Sequence, residues 1–409
     1  YDLKGDGAII LNAGFNRYAT AITQNQGTAG SAAGNPVYNW YMYGGPDITA
    51  GTPEYPTNSD ALDAMFDWFF NVYGGPNNLD LAYYIDIPGV VPRVSEGLRA
   101  PYGDEFTVGA SFRLGTRGVL RADYVHREYG SFYASEITPG NPVEVPNSGG
   151  AVVDDEVFIN DDSVYNRKYD AIMARFDYRI GSRWNIGANY TLSESQGNFA
   201  GETYDSGPVP GGFFQYNEYK EESWNVPTGL LAIDQTHKFR AWLVWDAIAT
   251  SHNNLSLSLL QSFLSGTPYS AFGKVDVVEF VGDPADLGYF GWPAAPNYYF
   301  SDRGAFRTEN VSRTDLAINY SFFVKIGGGQ LEFFVQPEVT NVFNEQAVVS
   351  PNNTVFTARN DGRLEVFDPF TETPVEGTHW RKGDSWGEAQ SEDDYQLPRT
   401  FRVSFGLRF

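Results

Sequence analysis

A chain of 409 residues with a net charge of −23 at neutral pH makes a poor partner for nucleic acid, whose phosphates it would repel. It has no cysteine, which excludes a disulfide framework, a thiolate metal site and a cysteine nucleophile. Aromatic residues make up 16%, yet the mean hydropathy is −0.35, and no apolar run approaches the ~18 residues that a spanning helix needs.

Tyr1 begins almost directly on a strand pattern, with no initiator Met, signal peptide or lipidation cysteine ahead of it, so the chain is expected to be an interior piece of a longer product. The first strand is expected near residues 8–18. A long segment over 19–102 follows. It contains a predicted helix at Ser59–Tyr73, with Asp60 as the cap ahead of Leu62, Met65, Phe66 and Phe69.

Strict alternation then sets in. Phe106, Val108, Ala110, Phe112 and Leu114 interleave with Thr107, Gly109, Ser111 and Arg113. Leu120, Ala122 and Tyr124 do the same with Arg121 and Asp123. Ile172 to Ile180, Trp184 to Leu192, residues 236–248, Leu255 to Leu259, Leu316 to Val324, 330–343 and 399–409 complete about ten strands. Alternate side chains of a strand point to opposite faces, so each is apolar on one side and polar or small on the other. Slipping 172–180 by one residue would carry Arg175, Asp177 and Arg179 onto the apolar face.

A soluble sandwich alternates too, and the connections separate it from a membrane barrel. Short turns fall at Gly115–Gly118, Gly181–Arg183, Ala249–Asn253 and Gly327–Gln330. Long segments fall at about 19–102, 134–163, 197–234, 267–310 and 344–398. Short and long take turns, which gathers the short turns at one rim and the long loops at the other. The expected fold is all-β: an antiparallel transmembrane β-barrel with short periplasmic turns, long external loops and a cell outer-membrane location. The final strand carries Phe401, Val403, Phe405, Leu407 and Phe409 on one face and ends the chain on an aromatic residue.

No residue pattern announces covalent chemistry: a nucleophile elbow, a phosphate loop and a His-Glu-x-x-His motif are all missing. The four histidines are His126, His237, His252 and His379. A barrel enzyme would need one of them paired with a carboxylate at the external rim, and His237 near Asp234 is the candidate. Asp154, Asp155, Glu156, Asp161 and Asp162 form an acidic run of the kind that attracts calcium, as do Glu392, Asp393 and Asp394. Neither run has EF-hand spacing, and both read first as solvated loops, so no metal or cofactor is expected. Trp40, Trp68, Trp292, Trp380 and Trp386 lie in the long loops, where aromatic faces either grip a ligand or pack on one another. Trp184 follows a short turn and suits a periplasmic aromatic girdle.

Four segments in order resemble TonB-dependent outer-membrane receptors, and among these the Oar-like branch. They are Leu98–Gly109, which opens a strand hairpin; Asp234-Gln235-Thr236-His237-Lys238-Phe239, like an Asp-x-x-His-x-Phe strand start; Val339-Thr340-Asn341-Val342-Phe343-Asn344, like an Asn-Leu-Phe-Asn signature; and Pro398–Phe409, like the terminal strand. The resemblance implies a 22-strand barrel of which residues 1–409 are the carboxyl-terminal part, and a plug domain that is not in this chain. TonB would bind through that plug, outer-membrane lipid would surround the wall, and an unidentified ligand would meet the external loops. Phe401, Phe405, Leu407 and Phe409 would be read by the barrel-assembly machinery. Ten strands closing a narrower barrel alone, a passive porin, a barrel enzyme and an adhesin are the alternatives.

Overall fold

The computed structural model describes residues 1–19, 38–78, 80–86, 93–144, 152–163, 165–199, 227–281, 295–326 and 329–409. Ten long strands run in chain order through one antiparallel sheet: β1 (Ile9–Ala19), β2 (Tyr102–Leu114), β3 (Gly118–Gly130), β4 (Arg167–Ile180), β5 (Trp184–Gly197), β6 (His237–Ala249), β7 (Asn253–Leu264), β8 (Val311–Ile326), β9 (Gly329–Thr340) and β10 (Thr400–Arg408), and the short strand Gly229–Leu230 joins the end of β5 as an eleventh. Among the described residues, β1 and β10 are the outer strands of this sheet. The pattern expected from the sequence is borne out strand by strand. No helix among the described residues is long and apolar enough to cross a membrane, which says nothing of strands.

Register explains why the alternation works. Leu11, Ala110, Ala122, Ala174, Tyr190, Phe239 and Phe263 face one another across seven strands. Lower down, Leu243, Leu259, Leu316, Val339 and Phe401 continue the same face to β10. Much of this apolar face is left open, up to Phe405 at 83% and Phe409 at full exposure. A water-soluble protein would bury a contiguous apolar surface of this size. The strands run from 9 to 16 residues, enough to span a bilayer at the usual tilt.

The connections between sheet strands sort as expected. Turns at 115–117, 181–183 and 250–252 stand at one rim, where β8 also reverses into β9, and the described ends of the longer connections stand at the other; the short turn expected at Gly327–Gln330 falls partly outside the described residues. Gly115 and Gly181 sit at φ near +60°, a backbone that only glycine adopts without strain, and this lets two chain reversals be so short. At this rim Trp184 and Trp245 stack with centroids 4.9 Å apart, and Phe322 stacks on Phe333 at 5.0 Å. These rings lie at the short-turn rim, where the sequence reading expects a girdle at Trp184. Sequence alternation fails at Ile248, which stands three residues from Trp245. A bulge between Asp246 and Ile248 absorbs the extra residue and returns Ile248 to the apolar face opposite Leu255.

On the inner face Gly187 lies under Trp242 of the neighbouring strand, and a Cβ there would come within 2.1 Å of the indole. Gly187→Val is therefore expected to displace the ring and cost about 1–3 kcal/mol. The check is the urea midpoint of the refolded protein in detergent; an unchanged midpoint rejects the close approach.

The predicted helix is present, with one correction. The α-helix α1 spans Asn58–Asp67 and continues as a π-helical turn over Trp68–Tyr73. Its cap is Thr57, not Asp60. Thr57 accepts from the Asp60 backbone N–H, and the Asp60 carboxylate accepts from the Thr57 N–H in return. Asp60 is the third-residue partner of a capping box, because a threonine three places earlier can close the ring.

Candidate functional site: the long-loop rim and the inner wall

Three aromatic clusters build the rim where the long loops gather. Phe132, Tyr165 and Phe199 pack above β3, β4 and β5, with Phe132 and Phe199 4.2 Å apart. Residues 265–281, 295–310 and 341–399 interleave into a lobe held by short strand pairs: Pro268–Tyr269 with Phe306–Arg307, Phe272–Lys274 with Asn297–Tyr299, and Val355–Thr357 with Trp380–Lys382. Ala271, Val355 and Trp380 form one core of this lobe; Val275, Val277 and Phe367 form another.

Two motifs that resemble receptor signatures turn out to be fasteners of this lobe. Asn341 and Asn344 adopt φ of 49° and 53°, which asparagine tolerates better than most residues. The buried Asn341 side chain donates to the Glu345 and Leu397 carbonyls at 2.9 and 3.0 Å and accepts from the Glu345 N–H. Asn344 accepts from the Arg399 N–H at 2.9 Å. The two asparagines thus close the long connection between β9 and β10 at its base. Asp234 is fully buried and accepts from the Ser195 N–H at 2.9 Å and from Arg307 at 2.8 Å. It pins the connection before β6 to the one before β8.

The tryptophans divide. Trp380 is buried and stacks on Phe300 at 5.2 Å, so it serves the lobe core. Trp386 sits 5.3 Å from Phe306 and 5.7 Å from Tyr269, with the Lys382 ammonium 5.8 Å above its ring. Trp68 packs on Tyr43 at 4.8 Å and Tyr73 at 5.4 Å. Trp40, in the strand Tyr38–Tyr41, is exposed. Trp292 lies outside the described residues. The structure does not gather the four described tryptophans into one aromatic cage.

The acidic runs are bonded into their surroundings. Asp154 and Asp155 lie in the strand Val152–Asn160, with Asp155 buried. Asp161 accepts from Ser163 at 2.6 Å, and Asp162 accepts from the Ser131 N–H. Asp394 closes a capping box with Ser391, and the backbone N–H groups of Gln390 and Ser391 hold its carboxyl below the ordinary range. Among the described residues no group of three or more His, Asp or Glu is placed to hold a metal ion.

The acid–His pair of a barrel enzyme does not form at His237. Its Nδ1 meets the Tyr190 hydroxyl at 2.8 Å on the outer face, while Asp234 is committed to Ser195 and Arg307. His126 meets Asp170 at 2.9 Å, also on the outer face, and Tyr124 donates to the same oxygen at 2.5 Å. His252 sits in the short turn before β7, and His379 accepts from the Val375 N–H in the lobe.

A cleft in the lobe is lined by Asp276, Arg359, Glu365, Phe367 and His379, with Arg359 paired to Asp276. Beside it Asp361 is clamped by Arg363 at 2.9 Å and Arg381 at 2.8 Å. The two guanidiniums hold its carboxyl far below the ordinary carboxylate range. A carboxyl whose pKa is depressed by folding stabilises the fold above its ordinary value of 3.8, and that contribution fades only as pH falls toward the lower folded value. Asp361→Asn is accordingly expected to loosen the lobe fully at pH 7, with wild type and variant converging only below pH 3.8. Thermal melts followed by tryptophan fluorescence check this; a gap that already closes at pH 5 refutes it.

The inner wall carries a feature that the sequence reading passed over. Arg121 and Arg175 are direct cross-strand partners, and Asn189, Arg240, Ser262 and Arg313 continue the same row. Like charges placed opposite repel. Each of three arginines is neutralised by an aspartate two residues on: Arg121 by Asp123 and Arg175 by Asp177 at 2.6 Å, Arg313 by Asp315 at 3.0 Å. The recurring Arg-x-Asp was the available signal, because residues two apart in a strand share a face. Only the register shows that the pairs stand at one height.

An apolar outer face, a charged inner face and a strict division of short and long connections define the class: an antiparallel wall of the outer-membrane type. No family model matches the chain. It is 26% identical over 336 residues to the TonB-dependent transporter Oar of Myxococcus xanthus, a match covering 77% of this chain and 29% of that protein. The chain therefore spans under a third of the curated relative it matches. The outer membrane transporter YddB from Escherichia coli overlaps 86% of this chain and 37% of its own, at TM-score 0.45 and 11% identity. The ferric preacinetobactin receptor BauA from Acinetobacter baumannii overlaps 63% of this chain and 27% of its own, at TM-score 0.36 and 10% identity. The resemblance to TonB-dependent receptors of the Oar-like branch is borne out by the curated relative.

Proposed function

We propose that residues 1–409 are the carboxyl-terminal part of the wall of a TonB-dependent outer-membrane transporter, which moves a specific ligand or cargo with energy from the inner membrane. The two-faced ten-strand wall carries this reading: apolar toward lipid, ionic toward the interior, with every short turn at the periplasmic rim. The remaining strands of a 22-strand barrel and a plug that contacts TonB belong to the rest of the gene product. The plug gates passage. The external lobe, with Trp386 and the cleft at Arg359 built over the Trp380 core, and the outer loop bearing Trp40 and Trp68, meets the ligand. The wall performs no covalent chemistry; its residues bind, orient and line a path.

Planar-bilayer recording of the full-length protein separates this from a passive porin. A plugged transporter is expected to show no steady conductance. A stable ohmic channel would sink the proposal. The terminal strand is the part read by the barrel-assembly machinery, with Phe401, Phe405, Leu407 and Phe409 on one open face. Deleting Phe409 is expected to reduce heat-modifiable protein in the outer membrane several-fold while total synthesis holds; equal assembly would remove the role of that residue.

A further inference from the structure

The first long connection presents an apolar stripe that nothing described covers. On α1 and its π-helical extension, Leu62, Phe66 and Phe70 stand four residues apart and are 50%, 50% and 56% exposed. Residues so spaced lie along one side of a helix. Phe66 and Phe70 stack with centroids 6.3 Å apart, which keeps the stripe continuous. The flanking and far sides are already in use: Phe69, beside Phe70, packs on Tyr41 at 5.1 Å, Trp68 packs on Tyr43 at 4.8 Å, and Ala61 is buried. The open stripe is therefore not needed to hold the helix in its loop.

Charge identifies what fits there. Between Arg17 and Arg93 the sequence has seven carboxylates and no lysine, arginine or histidine. Three of those carboxylates, Asp60, Asp63 and Asp67, lie on α1 itself and are exposed. The two arginines of this connection, Arg93 and Arg99, lie beyond that stretch and are held against the strand Val152–Asn160. An anionic lipid surface is repelled by such a helix, and a neutral apolar partner would leave its charges unmatched.

We propose that α1 is a docking site for a basic amphipathic polypeptide segment, which lays apolar side chains on Leu62, Phe66 and Phe70 and places lysines or arginines beside Asp60, Asp63 and Asp67. The carboxylates draw the partner in and set its orientation; the rings hold it. The site rests on the external placement of the long loops, and its failure is separable from failure of the transport reading, because the bilayer conductance does not depend on it.

The test uses the full-length protein in detergent and a fluorescein-labelled amphipathic helical peptide of lysine and leucine. A glutamate–leucine analogue and phosphatidylglycerol vesicles serve as competitors. Wild type is expected to bind the lysine peptide in a salt-sensitive way and to ignore the other two. The triple variant Leu62→Ser, Phe66→Ser, Phe70→Ser, with every carboxylate kept, is expected to bind at least tenfold more weakly while its heat-modifiable mobility is unchanged. The triple variant Asp60→Asn, Asp63→Asn, Asp67→Asn should lose the salt dependence, and it carries the test should the serine variant fail to fold. Undiminished binding by a folded serine variant, retained salt sensitivity in the asparagine variant, or equal binding of the glutamate peptide or the vesicles would overturn the proposal.

Discussion

Asp234→Ala is expected to strip the long-loop rim of its order and to lower the yield of folded protein sharply. The Asp234 side chain is fully buried and pairs with Arg307, which keeps 34% of its own surface in water. Breaking a buried ion pair from one side costs about 3–5 kcal/mol, and the partial exposure of Arg307 sets the expectation near 3 kcal/mol. The loss extends beyond the pair. The Ser195 N–H loses its acceptor, and among the described residues Arg307 keeps its bond to the Gly266 carbonyl at 2.8 Å. Three segments part together: the end of β5, the connection before β6 and the connection before β8. Limited trypsinolysis of the detergent-solubilised protein should then cut at Lys274, Arg303 or Arg307, where wild type is expected to resist. Asp234→Asn keeps one of the two oxygen acceptors and should fall between. Adding Arg307→Leu to Asp234→Ala removes the orphaned cation and should recover part of the loss, a coupling that two independent sites would not show. Wild-type resistance in Asp234→Ala would mean that the pair fastens nothing.

Phe176→Arg is expected to block insertion, while Met173→Arg, three residues away on the same strand, is tolerated. Phe176 lies on the outer face between Leu120 and Ala188, near the middle of the apolar belt. An arginine at the bilayer midplane costs roughly 2–4 kcal/mol, a large part of a stability of about 5–15 kcal/mol. Met173 faces inward beside Asp123 and Thr191, where a guanidinium meets a carboxylate. Folding into liposomes, read by heat-modifiable mobility, distinguishes the two. If the inward variant fails and the outward one inserts, the faces have been assigned the wrong way round.

How much of this was legible beforehand differs by feature. Strand positions, face assignment and the sorting of turns could be read because each depends on local periodicity. Two neighbours on one strand point to opposite sides whatever the rest of the chain does. The helix at 58–73 was legible from its apolar spacing, but its cap was misplaced by three residues, since a capping box has acidic and hydroxyl members that trade bonds. The bulge beside Asp246 could not be read, because an extra residue looks like a fault in the pattern until the partner strand shows that the register resumes. Among the candidate binding tryptophans, Trp380 and Trp386 looked alike in sequence. Burial separates them, and burial depends on Phe300, Phe306 and Tyr269, some 80 to 120 residues distant in the chain.

By itself the sequence determined a two-faced wall, the sorting of its connections to two rims and its outer-membrane setting. Those follow from a period of two, from loop lengths and from charge, all of which are local or additive. The tertiary structure alone decided that Arg121 and Arg175 oppose each other, that Asp234 reaches Arg307, and that Asn341 gathers both ends of the last long loop. Each of these joins residues far apart in the chain, and only folding brings such groups within reach of a hydrogen bond.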